Sequence, residues 1–182
     1  MNNRIGSRFD LSRPQRSRSR CGNDLDYIHA RHFSPVTAAL AGALSAAINR
    51  TEVIRIGVES GASDVRIGSY FSNKLDIYDI GAIGSGPAVS AASALAHEVV
   101  EQTAKQVFHL SNTSEDDYAI AHRFGNAAQD AVSSYTRGRS NSDLLNRRTG
   151  TGYTLTEQTR GNQTVMVLIK WVNGNVVKVI RR

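Results

Sequence analysis

Cysteine is nearly absent from this chain, and its scarcity excludes one class of protein. The single copy, Cys21, cannot form an intramolecular disulfide. A small secreted domain that is held together by disulfide bonds is therefore excluded. Aromatic residues are also scarce, at 7% of the sequence. The apolar fraction of 40% over 182 residues is nevertheless typical of one folded domain with a buried core.

Long apolar runs are missing as well. The apolar stretch at 36–48 is too short to span a bilayer, and the stretch at 80–96 is interrupted by glycines and by Pro87. The N-terminus lacks the apolar segment of a secretory signal peptide. We therefore predict a protein without a membrane span or signal peptide, which acts in the cytoplasm or is delivered by a specialised secretion system.

Acidic residues are almost missing from the N-terminal segment, where most of the positive charge lies. Residues 1–20 contain six arginines and one acid, Asp10, so they contribute +5 to the formal net charge of +6. Because residues 1–24 have few apolar side chains, we predict a disordered basic tail followed by a single domain at 25–182. Such a tail either stays solvated or binds nucleic acid or another anion. The candidate anion-binding side chains are Arg13, Arg16, Arg18 and Arg20.

Three segments of the chain carry helical signals. A helix-start signal at Ser34-Pro35 precedes apolar residues that recur at four-residue spacing up to Ile48. Pro87 favours a second helix, which is rich in small side chains and extends to about residue 109. A capping-box pattern at 114–117 predicts a third helix to about residue 135. The connection between the second and third helices is short, so we expect them to pack against each other in antiparallel order.

The remaining segments favour β-strands and give the predicted fold its class. Asn173-Gly174 is a strong hairpin signal because both residues tolerate positive φ, and the polar segment 137–152 predicts a loop. The chain is therefore predicted to be α+β, with a core of helices and a short sheet at 25–136 and a β-meander at 151–182. The predicted strands are 52–58, 65–71 and 75–80 in a short antiparallel or mixed sheet, and 153–158, 163–171 and 175–181 in a three-stranded meander.

The second predicted helix contains a candidate metal site. Residues four apart share one face of a helix, so His97 and Glu101 can bind the same divalent cation. His122, on the following helix, is the third candidate ligand. Zinc lowers the pKa of a water molecule that it binds to about 7, and Glu98 is placed to accept the proton. The expected cofactor is Zn²⁺ or another divalent transition metal, since two His and one Glu also suit other ions.

Polar residues near His122 are candidates for supporting roles. His122, Asn126 and Asp130 recur at four-residue spacing, so Asn126 or Asp130 could orient a metal ligand. Tyr118 or His109 could stabilise the oxyanion of a hydrolytic reaction. The sequence does not choose between these last two.

These residues resemble two kinds of protein. The order of helix, strands, metal-binding helix and ligand-bearing helix resembles the zincin plan, in which a sheet edge beside the metal helix binds the substrate peptide. The combination of His-Glu-x-x-Glu-Gln at 97–102 with Tyr118-x-x-Ala121-His122 is similar to metallopeptidase-like toxin domains at the C-terminal ends of bacterial polymorphic toxins of the rearrangement-hotspot type. The likeness covers roughly residues 85–132. It implies a zinc-dependent, peptidase-like hydrolase that acts on a peptide or protein and has an immunity protein as a partner.

Other functions remain open at this point. Glu101 stands where zinc peptidases have a second His, and the candidate residues could form a metal-free polar cluster. A noncatalytic interaction protein could dock a partner through the edge of the β-meander. A metal-free nuclease or nucleic-acid-binding toxin could use His122 as acid and base, together with the basic tail and Arg137, Arg139, Arg147 and Arg148.

Overall fold

The computed structural model describes residues 35–146 and 148–182. These residues belong to one compact unit, Phe33–Arg182. The predicted basic tail, with Cys21 and the four candidate anion-binding arginines, lies outside the described residues, as do Arg147 and the predicted domain start at residue 25. The interpretations that concern those residues stay predictions.

The first described helix, α1, spans Pro35–Ile48, as the apolar spacing predicts. Leu40 and Leu44 are half-buried along it, whereas Ile48 at its end is 78% exposed. The predicted apolar face is thus covered in the middle of the helix and open at its C-terminal end.

A small mixed sheet follows, and its strands are shorter than predicted. It consists of β1 (Gly57–Glu59), β2 (Gly68–Ser69) and β3 (Lys74–Asp76) in the order β1-β3-β2. β1 is parallel to β3, and β2 is antiparallel to β3, so β2 forms one edge. The predicted strands at 52–58 and 65–71 are wrong over most of their length, because alternation alone does not supply a neighbouring strand with which to pair.

Residues 77–80, which were predicted as strand, belong instead to the helix α2, Ile77–Ile83. Asp76 explains the error because its carboxylate accepts hydrogen bonds from the backbone N–H groups of Tyr78 and Asp79. An acidic residue in this position is a preferred helix N-cap. The helix ends at Gly84, whose φ of 68° suits glycine.

Two long helices form the centre of the molecule, as predicted. The first, α3, spans Ala91–Val107 and begins four residues after Pro87, because Ser90 and Ser93 make a reciprocal capping box there. The second, α4, spans Glu115–Ser133 and is capped by Ser114, which accepts from the Asp117 N–H. α3 and α4 pack against each other, and α1 packs against both.

The C-terminal sheet has four antiparallel strands rather than three. The prediction of a loop at 137–152 is wrong for most of that segment, because Thr136–Asn146 forms an edge strand. Its sequence is polar and lacks apolar alternation, so only pairing with the next strand reveals it. The Asn173-Gly174 hairpin is confirmed, with φ values of 48° and 84°. In the order β4-β5-β6-β7, the strands are Thr136–Asn146, Thr151–Arg160, Gln163–Val172 and Asn175–Arg181.

The main hydrophobic core joins this second sheet to α2 and the start of α3. Asp79 of α2 is buried in the same region and connects two distant segments. Its carboxylate accepts hydrogen bonds from the backbone N–H groups of Ile67 and Val176. The architecture confirms the predicted α+β class. No helix within the described residues has the length and apolar character that a membrane crossing requires. The core consists of Ile83, Ala88, Val89, Ala94, Tyr135, Val167, Ile169 and Val176.

Candidate metal centre

Helix α3 carries four titratable side chains into the interior, and three of them are the candidate site residues. His97 is 6% exposed, Glu98 is 9% exposed and Glu101 is 3% exposed. The neighbouring positions on this helix hold small residues such as Ala94 and Ala96, which let other elements approach closely. Buried ionisable groups cost free energy unless they are paired or bind a cation, so their partners matter.

The three residues that the sequence suggests as metal ligands meet at one place. Nδ1 of His122 lies 2.7 Å from Oε2 of Glu101, and Nε2 of His97 lies 3.4 Å from the same oxygen. The centroids of the two imidazole rings are 4.7 Å apart. One ligand atom from each residue falls within 4.8 Å of the other two, so the group could hold a metal ion. Among the residues that the structure describes, this is the one such group.

The electrostatics of the group centre on Glu101. Burial raises the pKa of this carboxyl, but hydrogen bonds from His122 and His97 outweigh burial and lower the pKa to about 2. Glu101 is therefore ionised at neutral pH. Burial lowers the pKa of His97 despite the nearby Glu101 carboxylate, so that imidazole is neutral. A neutral imidazole beside an ionised carboxylate is the donor set that a divalent transition metal needs.

Glu98 differs from Glu101 although both lie on the same helix. Burial, followed by repulsion from the Glu101 carboxylate, raises the pKa of Glu98 to about 8. Its carboxyl group packs on the backbone of β2, since a methyl group added to Gly68 would lie 1.7 Å from Oε2 of Glu98. The close approach of β2 thus depends on glycine at position 68. The two carboxyl groups differ in protonation because only Glu101 has histidine donors.

Arg137, at the start of β4, is the fifth residue of the site. Its Nη1 atom donates to Oδ1 of Asn126 at 2.6 Å and lies 3.4 Å from Nε2 of His122. The backbone N–H of Arg137 donates to Oδ1 of Asp130. Asn126 and Asp130, which the sequence suggests as partners of a metal ligand, therefore hold Arg137 beside His122. The sequence did not place this arginine at the site, because residues 137–152 are predicted to form a loop. The signal that could have located it is the four-residue spacing of His122, Asn126 and Asp130, which presents polar groups to a partner.

Tyr118 also belongs to the site, whereas His109 does not. The Tyr118 hydroxyl lies 3.3 Å from Nδ1 of His122, and its ring stacks on that imidazole with centroids 5.0 Å apart. Burial and the carboxylates of Glu101 and Glu98 raise the pKa of Tyr118 to about 12. His109 is exposed and follows the C-terminal end of α3. Of the two oxyanion candidates, only Tyr118 lies near the group.

A cavity of about 450 Å³ opens beside these residues. Its walls come from β2 and the residues next to it, from α3 and α4, and from the C-terminal sheet. His97, Glu98, Glu101, His122 and Arg137 all line it. A small molecule or a side chain of a larger ligand can therefore reach the candidate metal ligands and the raised-pKa carboxyl group in one enclosed space.

Two polar atoms in the site are buried and have no hydrogen-bond partner among the described residues. They are Nδ1 of His97 and Nε of Arg137. Such atoms are uncommon in folded proteins and often mark a place where a ligand or an ordered water completes the site. Both residues contact the candidate metal ligand His122, His97 through its ring and Arg137 through Nη1.

No family model, curated protein or solved structure matches this chain. The functional argument therefore depends on the geometry and chemistry of the site.

Proposed function

We propose that the protein is a metal-dependent hydrolase in which His97, Glu101 and His122 bind Zn²⁺ or another divalent transition metal. The observation that carries the proposal is the convergence of these three side chains beside a cavity that Glu98 also lines. Two neutral or neutralisable imidazoles and one ionised carboxylate leave a fourth position open, which is the arrangement of catalytic rather than structural zinc sites.

The roles of the surrounding residues follow from their positions. The metal, when bound, supplies a Lewis acid that activates water and polarises the bond to be cleaved. Glu98, in its ionised form, is the general base that accepts the proton of the attacking water and passes it to the leaving group. Because its pKa is raised to about 8, this form is the minor one at pH 7, and a bound cation would favour it. The guanidinium of Arg137 stabilises negative charge that develops on the substrate oxygen, because its Nη1 atom lies 3.4 Å from Nε2 of His122 and the residue lines the cavity. Tyr118 positions His122 through its hydroxyl group.

Binding of the metal requires a rearrangement around His122. Because Glu101 is ionised, Nδ1 of His122 is the donor in its hydrogen bond to Glu101, and Nε2 of the same ring lies 3.4 Å from Nη1 of Arg137. The cation must replace the proton on Nδ1 or displace Arg137 from Nε2. The first route would release a proton on metal uptake, whereas the second would move Arg137 instead, so proton release measured during uptake distinguishes them.

A peptide or protein is the substrate class that fits this site best. β2 is an edge strand that lines the cavity next to Glu98, and an extended peptide can pair with such an edge. The sequence resemblance supports the same class, and with it the role of a delivered bacterial toxin that an immunity protein would neutralise.

The test is metal analysis of the purified protein beside a double variant, His97→Ala with Glu101→Ala. We expect one equivalent of metal in the wild type and a nearly complete loss in the double variant. A matched control is His109→Asn with Glu115→Gln, which changes the same residue types at exposed positions. Substoichiometric metal in the wild type after zinc loading would end the proposal.

The variant Glu98→Gln separates metal binding from catalysis. It is expected to retain the metal and to lower peptide hydrolysis by about 10²- to 10⁴-fold, the usual contribution of a general base. Unchanged hydrolysis by this variant would remove Glu98 from the mechanism while leaving the metal site in place.

A second candidate function is a metal-free nuclease, which the contact between Arg137 and His122 favours. In that case Glu101 orients His122, which acts as acid and base, and Arg137 binds a phosphate group. This function predicts binding of single-stranded RNA that weakens steeply as salt rises, and cleavage that persists in a chelator. RNA binding that does not change with salt, or cleavage that stops in a chelator, would contradict it.

A further inference from the structure

We propose that Phe71 and Tyr118 form a subsite for an aromatic side chain of the substrate, directly beside the candidate metal ligands. The inference rests on the proposed metal-dependent hydrolase and names a feature of the substrate that this site would select.

Phe71 is an exposed aromatic residue with a fixed position. Its side chain is 57% exposed, although it follows Tyr70, which is only 3% exposed. The Phe71 ring contacts Tyr70 edge-on, with centroids 5.5 Å apart, and is stacked with Tyr118 at 6.4 Å and an interplanar angle of 21°. Contacts to two rings hold it in place, yet more than half of its surface remains uncovered. An ordered apolar surface of this kind is a preferred binding surface for another ring.

Phe71, Tyr118 and His122 form a row of stacked rings, here called the aromatic row, which ends at a candidate metal ligand. Phe71 stacks with Tyr118, and Tyr118 stacks with His122 at a centroid distance of 5.0 Å and an angle of 29°. Phe71, Tyr118 and His122 all line the cavity. Two ring-to-ring steps therefore separate the exposed Phe71 from a proposed ligand. A side chain next to the cleaved bond can span that distance.

The other rings in this region are already engaged. The Tyr70 hydroxyl donates to the Ser111 carbonyl, and Nζ of Lys105 lies over the Tyr70 ring, 4.5 Å from its centroid. Tyr118 contacts His122 and both neighbouring aromatic rings. Phe71 is thus the member of the aromatic row whose exposed ring surface can contact a substrate.

The charges of the cavity favour a neutral ring over a basic side chain. The charges of Arg66 and Arg137 are offset by those of Asp64 and the ionised Glu101, which also line the cavity, so a bound divalent cation would make the total charge positive. A lysine or arginine side chain of the substrate would be repelled, although either could otherwise stack on Phe71 through a cation–π contact. An acidic side chain would be drawn to the arginines rather than to the aromatic row. Phenylalanine and tyrosine side chains are therefore the best fit.

The test compares the binding of three hydroxamates to the zinc-loaded full chain by calorimetry. Acetohydroxamic acid reports chelation alone, phenylacetohydroxamic acid adds an aromatic ring, and lysine hydroxamate adds a basic side chain. We expect the phenyl compound to bind roughly 3- to 10-fold more tightly than acetohydroxamic acid, the range for one aromatic contact. Lysine hydroxamate is expected to bind no more tightly than acetohydroxamic acid.

The variant Phe71→Ser is expected to bring the ratio of the phenyl and acetyl affinities close to one. Phe71→Leu keeps apolar surface but loses the flat ring, so it should give an intermediate ratio. The matched control is Phe108→Ser, which removes a phenylalanine that is 51% exposed and does not line the cavity. That control should retain the wild-type ratio.

The outcomes distinguish this subsite from the metal site. Equal affinity of the wild type for the phenyl and acetyl compounds, with zinc bound, would overturn the subsite and leave the metal site intact. Tighter binding of lysine hydroxamate would overturn it as well. A protein that binds no zinc, or a zinc-loaded protein that binds no hydroxamate, would overturn the proposed function and this inference together.

Discussion

At the scale of single residues, the chemistry of the site depends on the Glu101 carboxylate, which is shared between two histidines. Oε2 of Glu101 is the partner of both His97 and His122, and these contacts keep Glu101 ionised in the interior. Glu98, one position after His97, has no such donors and its pKa is raised to about 8. Under the proposed function, the same residue type would serve as a metal ligand at Glu101 and, once ionised, as a proton acceptor at Glu98.

Arg137→Gln is expected to separate metal affinity from catalysis. Removal of a positive charge that lies 3.4 Å from Nε2 of His122 should raise zinc affinity by roughly 10-fold. Loss of the oxyanion partner should lower peptide hydrolysis by about 10²-fold. A competition assay with a fluorescent chelator measures the first effect, and initial rates on a peptide measure the second. Arg139→Gln, an exposed arginine on the same strand, is the control, and equal effects of both variants would remove Arg137 from the site.

Asp76→Asn tests the structural carboxylate that begins α2. Asp76 is fully buried, and its oxygens accept four backbone N–H groups, from Gly61, Ala62, Tyr78 and Asp79. Asparagine presents an amide to donors that need an acceptor, so the variant should lose about 2–4 kcal/mol of unfolding free energy. Urea denaturation at pH 7 measures the loss. Asp116→Asn, at an exposed position in the first turn of α4, should change stability far less.

The stabilisation by Asp76 is also expected to depend on pH. Burial raises the pKa of this carboxyl, but the four backbone donors together lower it below its ordinary value. Because the folded-state pKa is below that of the unfolded chain, the stabilisation is complete above about pH 4 and is lost as pH falls through the folded-state value. The stability difference between wild type and Asp76→Asn should therefore shrink on acidification. A difference that grows towards low pH would contradict this role.

At the scale of secondary-structure elements, two glycines set how closely neighbouring elements approach α3. Gly68 brings β2 against Glu98, and Gly125 brings α4 against His97. A methyl group at Gly68 would meet the end of a flexible side chain. At Gly125 it would lie 3.0 Å from the His97 backbone oxygen and 3.1 Å from the imidazole. The two contacts therefore predict different consequences for the same substitution.

Gly68→Ala is expected to move the Glu98 carboxyl group without weakening the fold much. The added methyl overlaps Oε2 of Glu98, and this side chain can rotate away. Hydrolysis should fall by about 10²-fold or more because the general base is misplaced, while zinc content and melting temperature stay near wild-type values. Activity rates, metal analysis and thermal denaturation on one preparation measure all three. A fall in zinc content equal to the fall in rate would contradict the assignment of Glu98 as base.

Gly125→Ala is expected to act on the metal ligands themselves. The methyl group forces α4 away from the His97 backbone, which α3 cannot relieve by rotating a side chain. We expect a loss of about 1–3 kcal/mol in stability and a measurable decrease in zinc affinity. Gly42→Ala on α1 is the control because an added methyl group there contacts nothing within 4 Å. Wild-type zinc affinity in Gly125→Ala would show that the approach of the two helices does not shape the site.

At the scale of the whole molecule, the sequence predicts well those features that are determined by residues close together along the chain. Helix periodicity and the Ser114 cap predict α4. The last hairpin is predicted by Asn173-Gly174, because both residues tolerate the positive φ that they adopt. The convergence of His97, Glu101 and His122 follows from two adjacent helices with a short connection. Contacts of this kind are local enough for spacing rules to describe them.

The features that the sequence does not reveal depend on pairing between distant segments. β4 is polar and irregular, so its strand character comes from β5 and not from its own pattern. Arg137 contacts His122 from the first residues of β4, and Gly68 of β2 lies against the Glu98 side chain 30 residues further along the chain. No periodicity in a single sequence encodes these long-range contacts.

The central claim is that His97, Glu101 and His122 bind one divalent cation. Anomalous diffraction at the zinc absorption edge, from crystals of the zinc-loaded protein, tests it most directly. The expected result is a single strong peak between α3 and α4, at about 2.0–2.2 Å from one nitrogen of each histidine and from an oxygen of Glu101. A zinc peak at another place would contradict the claim. The absence of any zinc peak would contradict it as well, if Glu101 is still hydrogen-bonded to His122 and Arg137 still lies beside that ring.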